Sequence, residues 1–246
     1  MIQLPTEPKI ISKVGHKVLF EIAPLYPGYG MTVGNVLRRV LISSIEGAAI
    51  TSAKIKNVDH EFSAIPGVRE DVIEIIANLK KVRFKVFKDE PVVLTLTANG
   101  AGTVTADNIV ASSDVEIVNP EQHVATITDK KTELEIELHV EKGVGYVPVE
   151  QRQKEKLTVG EIAIDGIFTP IKNVHFTVEN IRVGQRTDYN KVLLEIETDG
   201  SISGEETLKH ASKIIIDQFQ IINNVTVPEE AEKPVVKKEK KSRKKS

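Results

Sequence analysis

The chain has 246 residues, 40% of them hydrophobic, and its 33 Lys and Arg against 35 Asp and Glu leave a formal charge of -2. That length and apolar content suffice for one large core or two modest ones and argue against a chain that is disordered throughout. The absence of cysteine excludes a disulfide framework and a thiolate metal site, the first residues lack a basic-then-apolar leader, and no apolar run approaches the ~20 residues of a membrane span, so a soluble, intracellular protein is expected.

Residues 10–22 alternate loosely between apolar and polar side chains around Gly15-His16, which predicts a hairpin. The stretch Pro24-Leu25-Tyr26-Pro27-Gly28-Tyr29-Gly30-Met31-Thr32-Val33-Gly34 follows and launches an amphipathic helix ending near Gly47. Thr32 is a candidate N-cap, and Val33, Val36, Leu37, Val40, Leu41 and Ser44 form one core-facing stripe. At about 100° per residue, Asn35, Arg38, Arg39 and Ile42 fall on the opposite face. Two guanidinium groups around an apolar residue suit a protein partner, since arginine pairs with carboxylates in two-point fashion while its stem covers apolar surface. A merely solvated face is the alternative. The glycines also invite a phosphate-loop reading, but the third arrives one residue late for G-x-G-x-x-G, no G-K-[ST] follows, and no βαβ alternation surrounds them.

From Ile50 onward the pattern turns to strand over residues 50–58, 62–65, 83–87, 92–97, 115–118, 124–127 and 134–140, with breaks at Asn99-Gly100, Asn119-Pro120 and Asp129-Lys130. One short helix interrupts, its Val72, Ile75, Ile76 and Leu79 spaced for a single buried face. Gly143-Val144-Gly145 precedes more extended chain and reads as a bulge or tight turn. Residues 174–183 and 191–198 form a strand pair closed by Asp199-Gly200, and a last helix runs from about 205 to 222. Its Leu208, Ala211, Ile214, Ile215, Ile216, Phe219, Ile221 and Ile222 cover more than half the circumference, so it needs a partner beyond its own core, most simply a second copy of the chain. Paired terminal helices from two copies would close a four-helix interface about a two-fold axis, with Val36, Val40, Leu208, Ala211, Ile215, Phe219 and Ile222 in the seam. The expected fold is α+β: a discontinuous dimerisation domain of sheet plus two long helices at residues 1–46 and 171–228, and an inserted β-rich domain at 47–170. The lysine-rich segment 229–246 is read as a disordered tail, either solubilising or leaning on phosphate backbones.

Chemistry-bearing clusters are wanting. The six histidines are scattered without H-E-x-x-H or a close pair, no G-x-S-x-G elbow occurs, and Glu70-Asp71 and Glu205-Glu206 sit near helix starts where the dipole favours negative charge. No catalytic residue, metal or cofactor is expected in this chain.

The Pro24 to Ser44 stretch resembles the alpha subunit of bacterial DNA-directed RNA polymerase, whose amino-terminal domain carries P-L-x-x-G-x-G-x-T-x-G-N-x-L-R-R-x-L-x-S-S. Further pieces agree in order: Gly67-Val68-Arg69-Glu70-Asp71-Val72 leading to Asn78-Leu79-Lys80, Asp114-Val115-Glu116-Ile117-Val118, Gly143-Val144-Gly145-Tyr146-Val147-Pro148, and Gln185-Arg186-Thr187-Asp188. The resemblance spans roughly residues 10 to 222. It implies a homodimer that recruits the large catalytic subunits, beta through one copy and beta-prime through the other, within a cytoplasmic, nucleoid-associated enzyme whose active site lies elsewhere. Carried over by position, Asn35, Arg38, Arg39, Glu70 and Asp71 would face beta. Lys80, Gly184, Gln185, Arg186, Thr187 and Asp188 would face beta-prime. Members of the family usually continue into a small helical domain that contacts promoter DNA. Here the sequence stops at Ser246, which is expected to be either a natural short form, the reading favoured, or a truncated chain, and contact with DNA is expected mainly through the whole complex. A stand-alone nucleic-acid-binding protein working through its basic tail is the alternative function.

Overall fold

The computed structural model describes residues 2–152, 158 and 160–225, and the lysine-rich segment 229–246 lies outside the described residues. Strand β1 (Lys9–Val14) turns through Gly15 into β2 (Lys17–Leu25), which leads to helix α1 (Tyr29–Ser44). Next come β3 (Glu46–Ile55), α2 (Val72–Leu79), β4 (Phe84–Val86), β5 (Val92–Asn99), β6 (Gly102–Thr105), β7 (Ile109–Val110), β8 (Val115–Ile117), β9 (His123–Ile127) and β10 (Glu133–Val144). After β11 (Tyr146–Val147), a single helical turn α3 (Val149–Arg152), β12 (Glu161–Ala163) and β13 (Gly166–Ile167), the chain closes with β14 (Ile171–Val183), β15 (Arg186–Thr198) and helix α4 (Gly204–Asn223). The class is α+β.

Two apolar cores divide the chain. The first and last parts build an antiparallel sheet ordered β1-β2-β15-β14. Strand periodicity sends Val18, Phe20 and Ile22 of β2 and Val192, Leu194 and Ile196 of β15 to one face, where Leu37 and Leu41 of α1 and Leu208 and Ala211 of α4 cover them. The other face is polar and cross-paired, with Lys17 2.8 Å from Glu195 and Lys191 2.8 Å from Glu179. The second core lies in the middle of the chain: Ile75 and Leu79 of α2 join Leu94, Leu96, Ile136 and Leu138 of a five-stranded sheet ordered β12-β3-β10-β5-β7. Phe168 sits at the junction, its ring against Gly143 and Gly166, where an added Cβ would lie 2.8 and 2.4 Å from ring carbons.

The glycines within α1 serve packing. A Cβ on Gly30 would lie 2.6 Å from Val178 Cγ1, and one on Gly34 would lie 2.5 Å from the Phe176 ring, so their absence lets α1 settle onto β14. Thr32 is not the N-cap. The helix begins at Tyr29 behind Gly28, whose φ of +88° suits glycine, because Asn190 on β15 supplies the capping oxygen from across the fold. The strand expected at 62–65 is also absent: its trace is a single bridge between Ala64 and Asp71, and Phe62 is 77% exposed, although Ile65 packs against the second core. Helix α1 stops at Ser44, with β3 starting at once from Glu46.

Candidate partner-binding surfaces

The exposed side of α1 follows from its buried line. Gly30, Gly34, Leu37 and Leu41 face the sheet, which turns Asn35, Arg39 and Ile42 outward. Arg38 is half-buried and reaches back to Asn35, its Nη2 donating to Oδ1 at 3.3 Å. Among the described residues the Arg39 guanidinium has no hydrogen-bond or ion-pair partner, and it stands beside Ile42, which is 43% exposed. The two arginines are therefore unequal.

Glu70 and Asp71 part company as well. Asp71 caps α2, its Oδ1 accepting from the Glu74 amide at 2.8 Å. Glu70 is turned inward, 6% exposed, and its carboxylate accepts from the Thr126 amide at 2.6 Å and the Thr126 hydroxyl at 3.0 Å. Arg69 Nη2 approaches it at 2.7 Å and His123 Nε2 at 3.1 Å. Burial pushes the Glu70 pKa up, but the Thr126 amide, His123 and Arg69 outweigh it and bring the group to about 2. The Glu70 carboxylate, on a loop that the resemblance sets near beta, is thus bonded within the fold, and the group rivets the 63–71 segment onto β9. Arg69, with its side chain 67% exposed, is the group this loop presents, and no periodicity signalled it.

Lys80 caps the end of α2, where its Nζ meets Asp165 Oδ2 at 2.8 Å, so it too is held within the fold. Gly184, Gln185, Arg186, Thr187 and Asp188 form the exposed tip of the β14–β15 hairpin. Arg186 and Asp188 make a two-point pair at 3.0 and 2.7 Å, and the guanidinium lies 5.6 Å from the Tyr26 ring centre and 5.5 Å from that of Tyr189. Arginine face and hairpin tip thus come from separate parts of the chain that share one apolar core.

The apolar surface of α4 divides along its length. Leu208 and Ala211 are buried in the protomer's own core, 7% and 0% exposed, which corrects their placement in an interface between copies. Val40 and Ile215 are half-buried beside that core, and Val36 is half-buried on α1. Past them Ile216, Phe219 and Ile222 are 54%, 59% and 66% exposed. The first turns of α4 fill the core because a Ser203–Glu206 capping box seats them against β2 and β15, whereas the last turns run beyond the sheet.

The glycine-rich turn offers no anion cradle, because the amides of Gly28 and Gly30 already donate to Asn190 Oδ1. Among the described residues no group of three His, Asp or Glu side chains is arranged to hold a metal ion. No described helix is long and apolar enough to cross a membrane.

A family model described as "RNA polymerase Rpb3/RpoA insert domain" matches residues 53–169, the part that builds the second core. The "DNA-directed RNA polymerase subunit alpha" of Moorella thermoacetica is 48% identical over 224 residues, covering 91% of this chain and 71% of that protein. The proteins of the same name from Roseiflexus sp. (strain RS-1) and Chlorobium phaeobacteroides are 51% and 50% identical, covering 82% and 86% of this chain. The chain spans 62% of the length of the Roseiflexus protein and 64% of the Chlorobium one. Identity near one half over 82–91% of its length places the chain in the family of DNA-directed RNA polymerase alpha subunits.

Proposed function

We propose that this chain is the assembly subunit of a DNA-directed RNA polymerase: two copies clasp through their terminal helices, and the pair seats the beta and beta-prime subunits that carry out DNA-templated synthesis. It organises nucleotidyl transfer without supplying an active site of its own. The observation that carries this reading is the near-half identity to a named alpha subunit over nine-tenths of the chain, joined to an exposed Arg39 whose guanidinium has no partner among the described residues. Arg39 is proposed as the dominant contact to beta, with Asn35 and the half-buried Arg38 supporting it and the loop of Glu70 and Asp71 as a further contact. The hairpin tip at 184–188 and Lys80 are proposed for beta-prime. The exposed end of α4, with Val36 and Val40 of α1, is proposed for the seam between copies.

The test is direct. The purified chain should sediment as a dimer, and Arg39→Ala should leave that dimer intact while weakening capture of beta by about 2 kcal/mol, roughly 30-fold, as for a buried hot spot. Undiminished capture, or a chain that sediments only as single copies at micromolar concentration, overturns the reading.

A further inference from the structure

The tip of the β14–β15 hairpin is an overhang. β2 pairs with β15 only as far as Leu25 opposite Asn190, and beyond that point residues 181–189 continue as two strands without a third. A two-stranded ribbon is marginal by itself, so whatever fixes its root decides where the tip points.

Asn190 stands at that root. It pairs with Asn180 on one side and Leu25 on the other, beside a bulge in the β2–β15 register, and it is 8% exposed. Its Oδ1 accepts from the Gly28 amide at 2.9 Å and the Gly30 amide at 3.2 Å, while its Nδ2 donates to Asn180 Oδ1 at 3.1 Å. The amide orientation is set by these partners, since two N–H donors face the oxygen and an acceptor faces the nitrogen. Gly30 makes the approach possible, as a Cβ there would lie 2.9 Å from Asn190 Cβ. One buried side chain therefore bonds the first turn of α1 and the opposite strand of the ribbon at once. On the outer side the same two parts are stacked together: Tyr26, just ahead of α1, meets the Tyr189 ring edge-on at 6.0 Å, with Arg186 against both.

We propose that Asn190 is a positioning residue that joins the overhanging hairpin to the start of α1, so that the hairpin tip and the Arg39-bearing helix form one rigid unit. The inference rests on the proposed assembly role for its purpose: a subunit seated on the tip meets a helix already aimed, and two large partners are held at a set angle. Its structural content concerns the isolated chain and is tested there.

Two variants separate capping from joining. Asn190→Ala removes every contact, whereas Asn190→Asp keeps an acceptor for the Gly28 and Gly30 amides but cannot donate to Asn180. In the full chain, amide hydrogen exchange in Asn190→Ala should accelerate about tenfold both in the first turn of α1 and across residues 181–189, the effect of losing one buried hydrogen bond on local opening. In Asn190→Asp the helix start should stay protected while the ribbon loosens. Spin labels on Asn35→Cys and Gln185→Cys, introduced into a chain with no other cysteine and diluted with unlabelled copies, should give a narrow distance distribution that broadens in both variants. Acceleration confined to the amides of α1, or an unchanged distance distribution, overturns the proposal. Neither readout involves the large subunits, so this result and that of the beta-capture experiment stand apart.

Discussion

Replacing Glu70 by glutamine isolates the energy stored in a buried, ionised carboxylate. Burial opposes its charge, but the Thr126 amide, then His123 and Arg69, hold its pKa at about 2 against an ordinary 4.5. At ~1.36 kcal/mol per pH unit, that depression corresponds to roughly 3 kcal/mol of preference for the ionised form in the folded chain. Because the folded pKa is depressed, the stabilisation is complete above the unfolded value near 4.5 and is lost as pH falls toward 2. Glu70→Gln keeps the size of the side chain and an oxygen for Thr126, but gives up the charge opposite Arg69 and His123. Urea unfolding followed by far-UV circular dichroism, chosen because the chain has no tryptophan, should show the variant less stable by ~2–3 kcal/mol near neutral pH. The gap should close between about pH 4.5 and pH 2, where the wild-type group takes up its proton. A gap that is constant with pH, or no gap at neutrality, would refute the argument that the carboxylate is charged and internally bonded.

Gly34→Ala brings a Cβ to 2.5 Å from the Phe176 ring, so overpacking of ~1–3 kcal/mol should exceed the ~1 kcal/mol gained in helix propensity and lower the thermal midpoint. Phe176→Leu in the same chain should recover part of the loss, and a raised midpoint in the single variant would show that α1 does not need the close approach. Phe219→Asp changes a side chain that is 59% exposed in the protomer, so protomer unfolding should shift little while dimer dissociation in sedimentation rises by roughly 30-fold or more, the worth of about 2 kcal/mol of aromatic burial. An unchanged dissociation constant would remove the end of α4 from the proposed seam.

What was legible in the chain was what repeats locally. The 3.6-residue spacing of Val72, Ile75 and Leu79 marked α2 within its observed bounds, and the alternation around Gly15-His16 marked the first hairpin. The single long apolar spread of α4 marked a helix without saying which residues its own core would take. Alternation failed at 62–65, where one bridge from Ala64 to Asp71, the Val72 amide on the Ser63 carbonyl and the packing of Ile65 hold the segment without a strand partner. Strands β12 and β13, three and two residues long, carry too short a pattern to announce themselves. They exist because β3 and β11 offer free edges to pair with.

The residues by themselves determined the kind of chain this is: two terminal helices with apolar stripes, a β-rich middle, and an arginine pair on a helix face, all consequences of side-chain order along elements of known period. Only the tertiary structure decided which of two adjacent arginines is left without a partner among the described residues, which of two adjacent acids is buried, and where the apolar surface of α4 stops being core. Those outcomes depend on groups far away in sequence, such as Thr126 for Glu70, Asn190 for the start of α1 and Phe176 for Gly34. A periodic pattern states that a face must be covered, and only the folded contacts state by what.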